Sequence, residues 1–122
     1  RREDINKLLK EIQASNVGGI LGTKLKDTVK NVENSKDIKA TIDREHLWIA
    51  QTPQIFRYGL LKKAMQFAFD NALMPTDEAQ AIEHHGEKVK IIEGFAGNIK
   101  ITESLDLKLA EMILTLRGVS CV

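Results

Sequence analysis

The segment Leu47–Phe56, with the sequence LWIAQTPQIF, combines polar side chains in a way that is suited to presenting them to a ligand. A strand of a protein core has no need of Gln51, Thr52 and Gln54 at such short spacing. Pro53 removes a backbone donor and biases Thr52 toward an extended conformation. The segment therefore predicts a rigid, shaped loop that presents a hydroxyl group.

Several other side chains are of the types that bind a phosphate monoester, which carries close to two negative charges near neutral pH. Arginine matches phosphate oxygens with its planar fork, whereas lysine supplies a mobile point charge. Threonine hydroxyls add neutral donors. Spacing alone does not show which of these residues converge in space. The candidates are Thr28, Arg44, Thr52, Thr76 and Lys100.

Each candidate also has a purely structural interpretation, which the sequence leaves open. Thr76 precedes a helical pattern and suits an N-cap. Arg44 can form a surface ion pair with a neighbouring carboxylate, and Thr52 can simply shape the turn at the following proline. Thr28 and Lys100 can be ordinary solvated strand residues.

The remaining reactive side chains do not form a recognisable site. His84 and His85 are adjacent on a predicted helix and point about 100° apart, which is poor geometry for a shared metal. The sequence has no Ser-His-Asp order, zinc-ligand spacing or P-loop motif. The single cysteine, Cys121, has no internal disulfide partner, which fits a reducing compartment. We therefore predict no metal site among these residues.

Composition narrows the class of protein. A chain of 122 residues with 43% hydrophobic and 29% charged residues is typical of one globular domain or part of one. No apolar run is long enough to cross a bilayer. The formal net charge of +1 requires no nucleic-acid or membrane partner. Lys24, Lys26 and Lys30 form either a phosphate-facing patch or a solvated strand face.

Hydrophobic periodicity predicts helices that alternate with short strands, which is typical of an α/β domain. Between Asp27 and Ile42 the pattern predicts a hairpin with a turn at Asn34–Asp37. Such a hairpin has too little apolar surface to be stable without a partner surface. The other predicted elements are helices at Glu3–Ala14, at Tyr58–Ala72, after Thr76 and after Thr102, and strands at Gly19–Leu25, Val89–Ile92 and Ile99–Ile101.

The helical patterns also predict which side chains face the core. Thr76 and Thr102 are the predicted N-caps of the two helices that follow them. The predicted apolar faces are Ile5, Leu8, Leu9 and Ile12 in the first helix and Leu105, Leu109, Met112, Ile113 and Leu116 in the last. In the second helix the face predicted to point inward is Leu61, Ala64, Met65, Ala68 and Phe69.

Four blocks of the chain resemble 2-C-methyl-D-erythritol 4-phosphate cytidylyltransferases of the non-mevalonate isoprenoid pathway. They are GGILGTKLKDTVK at 18–30, DREHLWIAQTPQIF at 43–56, TDEA at 76–79 and EGFAGNIKIT at 93–102. The resemblance implies an α/β fold that is the C-terminal half of a Rossmann-like nucleotidyltransferase sheet. It further implies that residues 25–46 form a protruding β-hairpin dimerisation arm.

The resemblance, not the spacing, groups the five phosphate-binding candidates. It implies that Thr28, Arg44, Thr52, Thr76 and Lys100 bind methylerythritol phosphate. Arg44 and Lys100 would position its phosphate for attack on the α-phosphorus of CTP. Thr28 and Arg44, on the arm, would serve the site of the neighbouring subunit.

The resemblance also implies that residues 1–122 lack the N-terminal nucleotide-binding portion, where CTP and its magnesium ion are mainly bound. We therefore expect no turnover from this chain alone. The implied protein is a cytoplasmic homodimer that acts on small molecules, without nucleic-acid or membrane partners. Two alternatives are a ribitol 5-phosphate cytidylyltransferase and a non-catalytic dimerisation or regulatory module.

Overall fold

The computed structural model describes residues 1–118, and Cys121 lies outside them. These residues form helices and strands in a mixed α/β arrangement, which confirms the predicted class in this coarse form. The helices are α1 (Arg2–Ile12), α2 (Tyr58–Asp70), α3 (Glu78–His84) and α4 (Ser104–Leu116). The strands are β1 (Gly18–Lys24), β2 (Val29–Val32), β3 (Ile38–Ile42), β4 (Trp48–Phe56) and β5 (Lys90–Glu93).

The strand β1 lies at the centre of a three-stranded sheet with the order β4-β1-β5. It pairs antiparallel with β4 and parallel with β5. Its first five residues, 18–22, are all buried, as expected for a strand between two neighbours in a covered sheet. Helix α1 packs against β1 and β5 and covers the sheet there.

Two small hydrophobic clusters form the core. In the first, Leu8 of α1 packs with Leu21 and Ile92, with Ile12 at its edge. Leu8 and Ile12 therefore agree with the predicted face of the first helix. Ile5 and Leu9, on the same predicted face, are 40% and 43% exposed.

The second cluster joins α2 to α3 through small side chains. Ala64 of α2 meets Ala81 and Ile82 of α3. The prediction that Met65 and Phe69 face the core is wrong, since they are 46% and 78% exposed. Alanines allow the two helices to approach closely, so the larger side chains of α2 lie to either side of the contact.

Strands β2 and β3 form a separate two-stranded antiparallel sheet with a turn at residues 34–35. Almost all of their residues are exposed. One side-chain bond crosses the pair, from the Lys30 ammonium to the Thr41 hydroxyl at 2.6 Å. The function of this hairpin as a dimerisation arm stays a prediction.

The predicted loop at Leu47–Phe56 is wrong, because residues 48–56 form β4. The neighbouring β1 residues Ile20 and Leu21 pair with Gln54 and Gln51, so two residues between these glutamines have no partner on β1. Those two residues are Thr52 and Pro53. A bulge tolerates proline because no ladder hydrogen bond is needed there. The segment predicted to be a rigid loop is therefore a strand that contains a bulge at Thr52 and Pro53.

The C-terminal part of the described chain departs most from the predictions. Residues 98–103 form no strand, so the one predicted at Ile99–Ile101 is wrong. The N-cap of α4 is Glu103, not Thr102, and it forms a capping box with Asp106. None of the residues on the predicted apolar face of α4 is buried. No helix within residues 1–118 is long and apolar enough to cross a membrane.

Candidate functional site

A cavity of about 750 Å³ opens beside the bulge of β4. Its walls come from β4, from the turn that begins α3 and from the irregular segment after β5. Three of the five predicted phosphate ligands line it, namely Thr52, Thr76 and Lys100. These residues lie far apart in the sequence, and the fold brings them together.

Thr52 reaches the cavity because it lies in the bulge, outside the regular pairing with β1. Its side chain is exposed. Its carbonyl oxygen accepts a hydrogen bond of 2.6 Å from the Asn98 side chain. The bulge thus fixes the Thr52 backbone while the side chain remains at the cavity wall.

Thr76 lines the cavity at the start of α3, but its predicted role as the N-cap is wrong. The cap is Asp77, whose carboxylate accepts from the Gln80 backbone N–H at 2.8 Å. The backbone N–H of Thr76 donates to the Gln80 side chain at 2.6 Å. Because Asp77 caps the helix, the Thr76 hydroxyl is not needed for that purpose.

The segment that leads to Lys100 is attached to α1 as well as to the sheet. The Lys7 ammonium donates to the Glu93 carbonyl at 2.9 Å, and the Arg1 guanidinium lies 4.3 Å from the centre of the Phe95 ring. Arg1 also pairs with the buried Asp4 at 2.9 Å. The hydrogen bond from Arg1 lowers the pKa of Asp4 below its ordinary value, although burial opposes this effect.

Thr28 and Arg44 do not line this cavity. Thr28 directly precedes β2 and Arg44 follows β3, so both lie at the base of the hairpin. Both side chains are exposed, and the Arg44 guanidinium donates to the carbonyl oxygen of Lys26. Their predicted service to the site of a neighbouring subunit requires a second copy of the chain and stays a prediction.

The charge at the cavity is not strongly positive. Among the described residues that line it, Lys100 is the one cation, and Asp77 and Glu78 are anions. Both oxygens of the Asp77 carboxylate accept protein hydrogen bonds, from the Gln80 N–H and from the Gln54 amide. Lys100 provides one positive charge, whereas a phosphate monoester carries close to two negative charges near neutral pH.

The cavity also contains polar residues to which the sequence analysis assigned no role. Gln51, Gln54 and Asn98 line it and form hydrogen bonds between its three walls. The presence of glutamines at 51 and 54 was visible in the sequence, but their bonding partners are distant residues that no local pattern identifies.

The two adjacent histidines lie at the end of α3. His84 ends α3, and His85 follows it and packs edge-on against Phe67, with ring centroids 5.7 Å apart. Within residues 1–118, no group of three His, Cys, Asp or Glu side chains is placed to hold a metal ion.

Comparison with known proteins gives a consistent result. The sequence model of the family described as IspD, 2-C-methyl-D-erythritol 4-phosphate cytidylyltransferase, matches residues 1–116. The proteins of that name from Azoarcus sp. (strain BH72) and Acinetobacter baumannii (strain SDF) are 44% and 46% identical to this chain. These alignments cover 93% and 92% of the chain but 46% and 47% of the relatives. The chain thus spans about half the length of the curated relatives it matches.

Solved structures agree with the sequence comparison. The crystal structure of the Francisella tularensis 2-C-methyl-D-erythritol 4-phosphate cytidylyltransferase superposes with a TM-score of 0.83 at 36% identity, over 92% of this chain and 52% of that one. The enzyme from Thermus thermophilus superposes with a TM-score of 0.81 at 31% identity, over 93% of this chain and 55% of that one.

Proposed function

The chain belongs to the 2-C-methyl-D-erythritol 4-phosphate cytidylyltransferase family, and on this basis we propose that the protein carries out that transfer. An oxygen of the methylerythritol phosphate attacks the α-phosphorus of CTP and forms the new P–O bond. The bond from the α-phosphorus to the bridging oxygen breaks, and pyrophosphate leaves. The described residues bind the acceptor phosphate in this reaction.

The convergence of Thr52, Thr76 and Lys100 on one cavity carries this proposal. Two hydroxyl groups and an ammonium group are donors that suit phosphate oxygens. Such binding fixes the attacking oxygen and so lowers the entropic part of the barrier. The acceptor polyol has room in a cavity of about 750 Å³.

The shortage of positive charge supports a contribution from a second protomer. One ammonium faces two cavity carboxylates, whereas Arg44 is exposed at the base of the hairpin. In a twofold dimer each hairpin can bring Arg44 and Thr28 to the site of the partner. The proposed protein is a cytoplasmic homodimer in which CTP and magnesium are bound mainly by residues outside this chain. The 122-residue chain alone is then inactive.

The first experiment measures pyrophosphate release by the complete polypeptide that the gene encodes. CTP is supplied with methylerythritol phosphate or with ribitol 5-phosphate, and methylerythritol phosphate should give the higher kcat/KM. The substitution Lys100→Ala removes a charge-assisted hydrogen bond and should lower kcat/KM by roughly 10- to 150-fold. Lys62→Ala, on the exposed face of α2, is the matched control. A preference for ribitol phosphate, or no turnover of either acceptor, contradicts the proposal.

A subunit-mixing experiment tests the shared site. The variants Arg44→Ala and Lys100→Ala are each expected to be weakly active. If one site takes Arg44 from one protomer and Lys100 from the other, a mixed dimer has one intact site and one doubly altered site. Random exchange of the two variants should then restore about a quarter of the wild-type activity. No recovery after proven subunit exchange refutes the shared arrangement.

A further inference from the structure

Two glutamines flank the bulge of β4, and each binds a different wall of the cavity. The Gln51 amide nitrogen donates to the carbonyl oxygens of Phe95 at 3.0 Å and Asn98 at 3.2 Å. These acceptors belong to the turn that precedes Lys100. One side chain therefore links β4 to the segment that carries the cavity lysine.

Gln54 makes the corresponding link on the other side. Its amide nitrogen donates to the Asp77 carboxylate at 2.9 Å, and its amide oxygen accepts from the Ala79 backbone N–H at 3.0 Å. Asp77 is the N-cap of α3, so Gln54 holds the capped end of that helix. The residue that precedes the cap is Thr76, at the cavity wall.

The space for the Gln51 amide is built into the fold. A Cβ atom added to Gly94 would lie 2.6 Å from the Gln51 Oε1 atom, so any larger residue there displaces the amide. That oxygen is buried and has no hydrogen-bond partner within the described residues. The Gly94 N–H donates to the Gly22 carbonyl at 2.9 Å, which keeps this glycine against the sheet. The amide oxygen thus occupies a slot that the absence of a side chain creates.

We propose that Gln51 and Gln54 are positioning residues that fix Lys100 and Thr76, respectively, relative to Thr52. This inference rests on the proposed function, because it concerns the acceptor-binding groups of that site. Thr52 lies between the two glutamines in the bulge, and the Asn98 side chain donates back to its carbonyl at 2.6 Å. All three groups therefore take their relative positions from one short segment, residues 51–54.

The amide group is required because it donates to oxygens. At position 51 two carbonyls need a donor, and at position 54 a carboxylate needs one. An ionised glutamate has no donor and would repel these acceptors. Methionine removes the donor, and at position 54 also the acceptor of the Ala79 N–H, without adding charge and at a similar length. Gln51→Met and Gln54→Met are therefore the informative variants, because they avoid direct repulsion of the phosphate.

The test is a double-mutant cycle in the complete polypeptide. Gln51→Met alone should raise KM for the acceptor about tenfold and leave KM for CTP unchanged. In a Lys100→Ala background it should have little further effect, because the residue on which it acts is already absent. Gln66→Met is the matched control, since the Gln66 amide bonds to Asp70 at 2.8 Å on α2, away from the cavity. Effects that multiply fully in the double variant overturn the assignment.

Gln54 has its own cycle with Thr76→Val. Gln54→Met should raise the acceptor KM about tenfold alone and add little to Thr76→Val. Gly94→Ala provides independent support, because it displaces the Gln51 amide without altering residue 51. It should reproduce the kinetic pattern of Gln51→Met. If Gly94→Ala leaves the acceptor KM unchanged, the role of Gln51 is refuted.

A second measurement separates this inference from the proposed function. Amide hydrogen exchange in the complete polypeptide should speed up at residues 95–100 in Gln51→Met and at residues 76–80 in Gln54→Met, each about tenfold. This result is expected whatever acceptor is used. If exchange is unchanged in both segments, the positioning roles are wrong. If the variants show the faster exchange but the wild-type protein turns over no acceptor, only the proposed function is wrong.

Discussion

The glycine at the start of β1 provides a sharp test of the described packing. Gly18 has φ +139°, a conformation that residues with a side chain rarely adopt. A Cβ atom there would lie 2.7 Å from the Phe56 ring and 2.8 Å from the Phe56 Cα atom, and it would also meet the Ile55 carbonyl oxygen. Two of these three atoms are backbone, so the strand pairing itself must shift.

The expected cost of Gly18→Ala follows from these contacts. Strained backbone of this kind costs about 1–3 kcal/mol. Overpacking a close contact costs about 1–3 kcal/mol more. We therefore expect the free energy of unfolding to fall by about 2–6 kcal/mol. Gly59→Ala is the control with the opposite sign: a Cβ atom there meets no atom within 4 Å, and the residue lies in the first turn of α2. It should raise the stability by about 0.4–1 kcal/mol.

Urea unfolding of the 122-residue chain, followed by helical circular dichroism, measures both values. The two variants should shift the midpoint in opposite directions with a similar slope, since the surface exposed on unfolding hardly changes. If Gly18→Ala fails to fold, heating curves in a stabilising osmolyte extend the measurement. A midpoint for Gly18→Ala within about 0.2 M of the wild type, the order of the error of the method, would show that Gly18 is not held as described.

Two further predictions concern the core and the last helix. Leu21→Ala, at a side chain that is 1% exposed, should cost about 2.7–5 kcal/mol, whereas Leu116→Ala, at 86% exposure, should cost less than about 0.5 kcal/mol in the same unfolding experiment. Hydrogen bonds from the Thr102 N–H, the Glu103 N–H and the Thr102 hydroxyl lower the pKa of Asp106. Because the folded pKa is the lower one, the capping box stabilises α4 above about pH 4 and is lost as the pH falls through that lowered value. Amide shifts of Thr102 and Glu103 should report this transition, which Asp106→Asn should abolish.

Secondary structure was predictable wherever periodicity and burial coincide. The helix at α1 and the strands β1 and β5 lie within one or two residues of their predicted positions. Each contributes one side chain to the same buried cluster, namely Leu8 from α1, Leu21 from β1 and Ile92 from β5. At α4 the hydrophobic periodicity indicates an apolar face from Leu105 to Leu116, but none of these residues is buried in the described structure. Periodicity shows that a face is apolar, not what covers it.

The caps and the bulge were harder to predict because competing side chains lie side by side. Thr76 and Asp77 are both good N-caps, and the structure selects Asp77, which also binds Gln54. At Thr52 and Pro53 the polar composition suggested a loop, but the flanking residues pair with β1. Polar residues and a proline are compatible with either a bulge or a loop. Only the pairing with β1, which is distant in sequence, distinguishes the two.

Part of the cavity lining was predictable, whereas the hydrogen bonds that support it were not. Thr52, Thr76 and Lys100 were identified through resemblance to a family, and they line one cavity. The bonds of Gln51 span 44 and 47 residues of sequence, so no local signal reveals them. Thr28 and Arg44 do not line this cavity, and their service to the site of a neighbouring subunit stays a prediction.

The number of unpaired residues in the β4 bulge has a consequence for how the cavity wall can vary. Because the insertion is an even number of residues, the strand keeps the same inside-outside alternation before and after it. Adding or removing two residues in the bulge would leave the same side chains of β4 on each face of the sheet. A change of two residues in this insert would therefore alter the cavity wall while the pairing of β4 with β1 is retained.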